Sequence, residues 1–209
     1  MILSTWLTVI SICLLGAMSP GPSLALALKH TLHGGRQQGM IVGLFHGIAV
    51  GLYAIVSVVG LAAVIHNSPL VFLVIQYSGA LFLAWLGLQG LCKKATSINT
   101  KLSKKTTSSA ARDGFLMACL NPKAAIFFIA LFSQIIGPET ALIAKIAYAI
   151  TAMIVDMTWY ISVAWLFSRP HWLCYLEHYS PWLEKVFALI LIALAAQIII
   201  SSSAIIEHI

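Results

Sequence analysis

Charge is what this chain has least of. Of its 209 residues, 9% are Asp, Glu, Lys or Arg and 60% are hydrophobic. A soluble domain carries about a quarter charged residues, so this composition cannot build a water-facing surface. No charge precedes Lys29, and Arg36 is followed by 56 uncharged residues before Lys93. A cleaved signal peptide opens on a basic n-region. Residues 1–28 have none, and they are expected to persist as a helix. Cysteine is sparse too. Cys13, Cys92, Cys119 and Cys174 form no CxxC pair and no metal-spaced cluster, and they read as small apolar side chains within helices. His30 and His33 lie three apart without an acidic or thiol partner beside them. No metal site is expected there, and no cofactor motif is present.

What the chain does have is apolar length. A bilayer crossing needs about 20 predominantly apolar residues. Six segments meet that length, at about 3–28, 38–65, 70–92, 114–136, 143–167 and 186–206. The second and third are separated by a turn at His66-Asn67-Ser68-Pro69. The fold class expected is therefore an all-α integral membrane protein forming one transmembrane domain over 1–209. Two three-helix halves, 1–92 and 113–209, are joined by the linker 93–112. That linker is rich in Ser and Thr, carries six basic residues and contains no acid, which marks a solvated connector.

Basic residues predict the orientation. If six helices alternate, the linkers after the first, third and fifth share one side and hold ten of the twelve basic residues. The positive-inside rule puts that side in the cytoplasm and both termini outside. It also accounts for most of the net charge of +6 without invoking nucleic acid. Contact of the basic loop with anionic lipid is the simplest role for it.

Three features depart from plain apolar helix. Glycines at 39, 43, 47 and 51 recur every four residues on one face of the second helix, where another backbone can approach closely. His46 sits beside this ridge and reads as a hydrogen-bonded packing residue. The first helix contains Ser19-Pro20-Gly21-Pro22-Ser23. Each proline lacks an N–H and clashes with the carbonyl four residues back, which deprives Gly16 and Met18 of their helical partners. Free carbonyls cannot face lipid, so the stretch must face protein or a wet cavity. Ser19 before Pro20 reads as an N-cap with a new half-helix beginning behind it. Asn121-Pro122-Lys123 repeats the device in the fourth helix and adds a lysine about ten residues into the span. Its side chain cannot climb roughly 12–15 Å to the interface, so Lys123 needs a partner inside. Asp156, near the middle of the fifth helix, supplies the counter-charge, with Trp159 and Tyr160 following on its face. Intramembrane charges of this kind mark a substrate or proton site.

At these residues the chain resembles the LysE/RhtB family of lysine and homoserine–threonine exporters. The likeness runs in order along nearly the whole length. It comprises SPGP at Ser19–Pro22, the Gly-rich second helix, FLAWLGLQ at Phe82–Gln89, LNPKAAIFF at Leu120–Phe128, and Val155-Asp156 followed by aromatics. Ser23 stands where many members carry Asp or Asn, Ala118 where Asn is common, and Ser133 in place of a proline. The second half looks most like the threonine-exporting members. The resemblance implies a six-helix exporter of amino acids in the cytoplasmic (inner) membrane, a transporter and not an enzyme.

An amino acid is a zwitterion, so its site needs complements to both charges a few ångströms apart. The half-helix N-termini and Lys123 suit the carboxylate, while Asp156 and the carbonyls of Gly16 and Met18 suit the ammonium. The candidate residues for substrate or coupling-ion binding are thus Ser19, Pro20, Gly21, Pro22, Ser23, Asn121, Pro122, Lys123, Asp156 and Tyr160. Expected partners are a small amino acid of the threonine or homoserine kind, protons as coupling ion, the lipid bilayer and, as an open alternative, further copies of the chain. Two halves of three spans make an inverted repeat. It is expected to be approximate, because the breaks lie about eight residues before one cytoplasmic helix end and about eight after the other. The rival from another class is a transmembrane thiol–disulfide carrier of the CcdA/DsbD kind, since Cys13 and Cys119 fall in the first and fourth helices. Neither adjoins its proline, which leaves the thiols outside the dipole that would activate them. An exporter of another small solute is the third alternative.

Overall fold

With few polar side chains to compete for backbone groups, the apolar runs fold into helices throughout. The computed structural model describes residues 2–19, 21–92, 109–137, 140–168 and 170–206. Most of the basic linker (93–108), Pro20 and Arg169 lie outside them. Among the described residues there are eight helices and no strand: α1 (Ile2–Met18), α2 (Pro22–Gly34), α3 (Arg36–Asn67), α4 (Pro69–Cys92), α5 (Ala110–Cys119), α6 (Pro122–Ile135), α7 (Leu142–Leu166) and α8 (Pro170–Ile206). Four, namely α3, α4, α7 and the Pro181–Ile200 part of α8, are long and apolar enough to cross a membrane. The pairs α1–α2 and α5–α6 meet the same test only as bent units, the second bent by 56°, which gives up to six spans.

The boundaries differ from expectation at three places. The first segment does not end at residue 28, because α2 runs on to Gly34. The helix stops where Gly35 takes φ 83, a left-handed conformation that favours glycine. The fourth segment starts at Ala110, four residues earlier than expected, and α8 starts at Pro170 instead of 186. Proline at a first helical position loses no hydrogen bond, so α8 begins in a polar stretch well ahead of its apolar part. The pieces following the two breaks are 13 and 14 residues long.

Packing follows the glycines. A Cβ added at Gly43 would lie 2.9 Å from the backbone nitrogen of Ile161, and one at Gly47 would lie 2.6 Å from Cβ of Met157. Gly39 faces Ala164 and Gly51 faces Met153 in the same way. The partner numbers fall as the glycine numbers rise, so α3 and α7 are antiparallel and nearly in backbone contact. Gly87 and Gly90 of α4 meet Ile192 and Ala188 of α8 in a second antiparallel seam. Small residues at such seams let helices approach closely enough for dispersion to hold them where lipid removes the hydrophobic drive. The main core gathers Val9, Val50, Leu83, Phe132 and Leu191 from five helices. On the outside, Leu70, Leu81, Ile143 and Ile200 stay exposed, an apolar perimeter suited to lipid.

Candidate functional site

Both breaks open onto one interior cavity of about 200 Å³, lined from α1, α2, α3, α4, α6, α7 and α8. A single water needs roughly 10–15 Å³ by this measure, so the space is large enough for several waters or one small solute.

The break in α5–α6 is satisfied bond by bond. Pro122 occupies the first turn of α6, and the Asn121 side chain accepts from the Lys123 amide at 3.1 Å. That amide would have bonded the Cys119 carbonyl in an unbroken helix. Instead the Tyr53 hydroxyl of α3 donates to that carbonyl. The Asn121 carbonyl accepts from the amides of Ala124 and Ala125, which starts the new half-helix. At the first break the restart falls two residues later than the Ser19 N-cap predicts. Gly21 is the N-cap, in extended conformation with no side-chain cap bond, and Pro22 is the first helical residue. The Gly16 carbonyl is also not free. The Ser19 amide donates to it at 3.3 Å, because the last turn of α1 tightens to an i→i+3 bond. One of the two lone pairs of the Gly16 carbonyl is thus already used.

Ser19, relieved of capping, takes another role. Lys123 Nζ donates to Ser19 Oγ at 2.7 Å and lies 4.5 Å from the centre of the Phe187 ring of α8. This bond ties the two broken helices together across the cavity, and the ring face is a favourable seat for a cation out of water. Asp156 of α7 is 7% exposed, and its partner is His46 of α3. His46 Nδ1 lies 2.7 Å from Asp156 Oδ2, and His46 Nε2 lies 3.0 Å from Ser23 Oγ at the start of α2. Tyr160 stands one turn further along α7, its ring centre 4.6 Å from that of His46.

Of the residues picked out in the sequence, Ser19, Gly21, Pro22, Ser23, Asn121, Lys123, Asp156 and Tyr160 line the cavity. Pro122 is not in its lining, although it shapes the break, and Pro20 lies outside the described residues. Trp159, expected on the face of Asp156 with Tyr160, does not line it either. The lining also includes His46, which the sequence suggests only as a packing residue, and Glu184 and Phe187, which are not among the candidates. Packing of α3 on α7 gives His46 its place. It stands between Gly43 and Gly47, and those glycines bring α3 onto Tyr160 and Met157, the residues flanking Asp156. Glu184 was hidden by placing the sixth helix after Lys185, when it sits inside α8. Cys13 lines the cavity and Cys119 does not.

Comparison with known proteins gives a consistent picture. The family model described as LysE type translocator matches residues 14–202. The chain is 26% identical over 208 residues to the threonine efflux protein of Escherichia coli (strain K12), covering 95% of this chain and 99% of that one. It is similar, at 31% over 121 residues and 56% of each chain, to the leucine efflux protein of Enterobacter sp. (strain 638). An uncharacterized membrane protein of Vibrio cholerae shares 30% over 136 residues, 64% of this chain and 65% of that protein. No solved structure matches.

Proposed function

Because the chain belongs to the LysE type translocator family, we propose that it exports a small amino acid, of the threonine or homoserine kind, across the inner membrane in exchange for protons. The observation that carries this reading is the cavity itself, which is lined by a half-buried cation from α6 and a buried carboxylate from α7. Lys123, next to the N-terminus of α6, suits a carboxylate through charge and helix dipole together. Asp156 suits an ammonium. The volume, about 200 Å³, favours a small substrate. Near full-length similarity to a threonine efflux protein supports the substrate class.

The arrangement of helices supports alternating access around this site. α3 with α7, and α4 with α8, are corresponding spans of the two halves and pack as antiparallel pairs. The pieces of 13 and 14 residues after the breaks match as well. We read this as an inverted repeat, the architecture in which one half rocks against the other around a central site. The cavity extends to Gln89 and Gly90 near the end of α4 and to Glu184 near the start of the apolar part of α8. The basic linker leaves α4 on that side, so the positive-inside rule makes it cytoplasmic, the loading side for an exporter. Elsewhere Trp6 of α1 meets Tyr148 of α7 edge-on at 5.0 Å and Phe128 stacks with Phe132 of α6 at 6.0 Å, aromatic contacts suited to an outer gate.

The test is a panel. The chain is expressed in a host deleted for its own exporters, and growth on toxic levels of threonine, homoserine, leucine and their analogues is scored with intracellular pools measured. Raised tolerance with a lowered pool of at least one amino acid is expected. Unchanged pools across the panel would remove the export reading.

A further inference from the structure

The amino-acid site as described leaves one buried titratable group without a task. His46 is 4% exposed, and both its ring nitrogens are engaged, one by a carboxylate and one by a hydroxyl. A purely structural histidine needs one good partner, and the other nitrogen can face apolar side chains. Here the two partners differ in a telling way. The Asp156 carboxylate only accepts, which holds a proton on Nδ1 in every state. The Ser23 hydroxyl can donate or accept. It donates to Nε2 when the ring is neutral and accepts from Nε2–H when the ring is charged. Neither state requires a heavy atom to move, and the Tyr160 hydroxyl, which also hydrogen-bonds Ser23, can exchange donor and acceptor roles with it as the ring changes charge.

We infer that His46 carries the coupling proton, and that this proton and the substrate ammonium compete for Asp156. The inference rests on the export reading above. It follows from counting charge around one carboxylate. Asp156 Oδ2 is taken by His46, and among the described residues its other oxygen has no hydrogen bond. An imidazolium and an ammonium at the same carboxylate would repel at close range in a poorly screened site. The other titratable or charged groups around the cavity do not relieve this. Lys123 from α6 is a further cation, and Cys13 from α1 and Tyr160 from α7 are neutral acids. Glu184 from α8 stands with Gln89 toward the opposite end of the lining, and Asp113 of α5 is paired with His30 of α2 at 3.2 Å.

The proton balance closes. On the cytoplasmic side the ammonium docks on Asp156 and the Nε2 proton departs into the cavity and the cytoplasm. After the substrate leaves on the outer side, a proton from outside returns to Nε2. One proton moves inward for each zwitterion moved outward, and no covalent bond changes.

The experiment uses the full chain in proteoliposomes with whichever of L-threonine, L-homoserine or L-leucine the wild type moves. Transport of none of them counts against the export reading, not against this one. In His46→Gln, accumulation driven by an imposed pH difference is expected to fall at least tenfold, to the level seen without a gradient. Substrate–substrate exchange, which needs no net proton, should fall no more than a few-fold. pH-driven accumulation that survives in His46→Gln overturns the proposal. Equal loss of exchange and accumulation also overturns it, since His46 would then serve binding or scaffolding alone. If His46→Gln fails to insert, a chain with His46 as its sole histidine and a ¹⁵N-labelled ring decides the matter. Substrate must convert its ring signal from charged to neutral, and an unchanged signal overturns the proposal.

Discussion

Lys123 and Asp156 illustrate how a membrane interior keeps a charge. Each is expensive alone in a medium without water, and each is held by groups from other helices. Lys123 has the Ser19 hydroxyl and the Phe187 ring, and Asp156 has His46. The two charges thus stand on separate supports around one cavity, and on the proposed function both meet a zwitterion there. Lys123→Met removes a charge-assisted hydrogen bond, worth roughly 1.5–3 kcal/mol to a bound carboxylate. Transport per inserted protein should fall tenfold or more. The double variant Lys123→Met/Asp156→Asn carries no charge at either position. It should insert as abundantly as the wild type and still not transport. Efflux from preloaded vesicles, normalised to inserted protein, measures both. Wild-type efflux from the double variant would make the two residues scaffold only.

At the scale of elements, the α3–α7 seam decides whether the site forms at all. Gly47 leaves no room for a side chain, since an added Cβ would sit 2.6 Å from Cβ of Met157 and 3.0 Å from its backbone nitrogen. The neighbour here is largely backbone, which cannot swing aside. Gly47→Val should force the helices apart and cost about 1–3 kcal/mol, the usual range for overpacking. It should also separate His46 from Asp156, one residue along each helix. Thermal unfolding in detergent should show a lowered midpoint, and pH-driven transport should be lost with it. At Gly60, where nothing lies within 4 Å of an added Cβ, the same substitution should leave the midpoint within a degree or two. Equal effects at the two positions would mean that the seam is not what holds these helices.

The whole molecule is a question of direction. Antiparallel seams between α3 and α7 and between α4 and α8 are what six alternating spans require. Such alternation puts the linker after α4 on the same side as Gly35 and Ser168, and puts Ser68 and Gly137 on the other. Single cysteines at Gly35 and Ser168, in a chain without its native cysteines, should label only after the membrane is permeabilised. Cysteines at Ser68 and Gly137 should label in intact cells. The reverse pattern would invert the orientation, and a mixed pattern would break the six-span count. In the same background, Gln89→Cys should react from the cytoplasmic side and be protected by substrate.

Some of this was written in the sequence and some was not. The scarcity of charge determined the membrane class and the number of apolar segments, because a bilayer admits only helices of a given length built from such residues. The proline motifs marked both breaks, and Lys123 and Asp156 declared themselves as charges where none is cheap. Four-residue glycine spacing announced that some helix would lie against α3. It could not say which one, because close approach depends on the surface facing the glycine as much as on the glycine. That partner proved to be α7, and with it came the pairing of His46 with Asp156, 110 residues apart. Nothing local to His46 distinguishes it from a packing histidine. Its two hydrogen bonds depend on a carboxylate from α7 and a hydroxyl from α2 brought to its nitrogens on α3. The same holds for Ser19, whose position beside a proline pointed to a cap, whereas its hydroxyl is held by a lysine 104 residues away. Helices and their breaks are local consequences of residue type, while the polar connections among them are decided only when the spans pack.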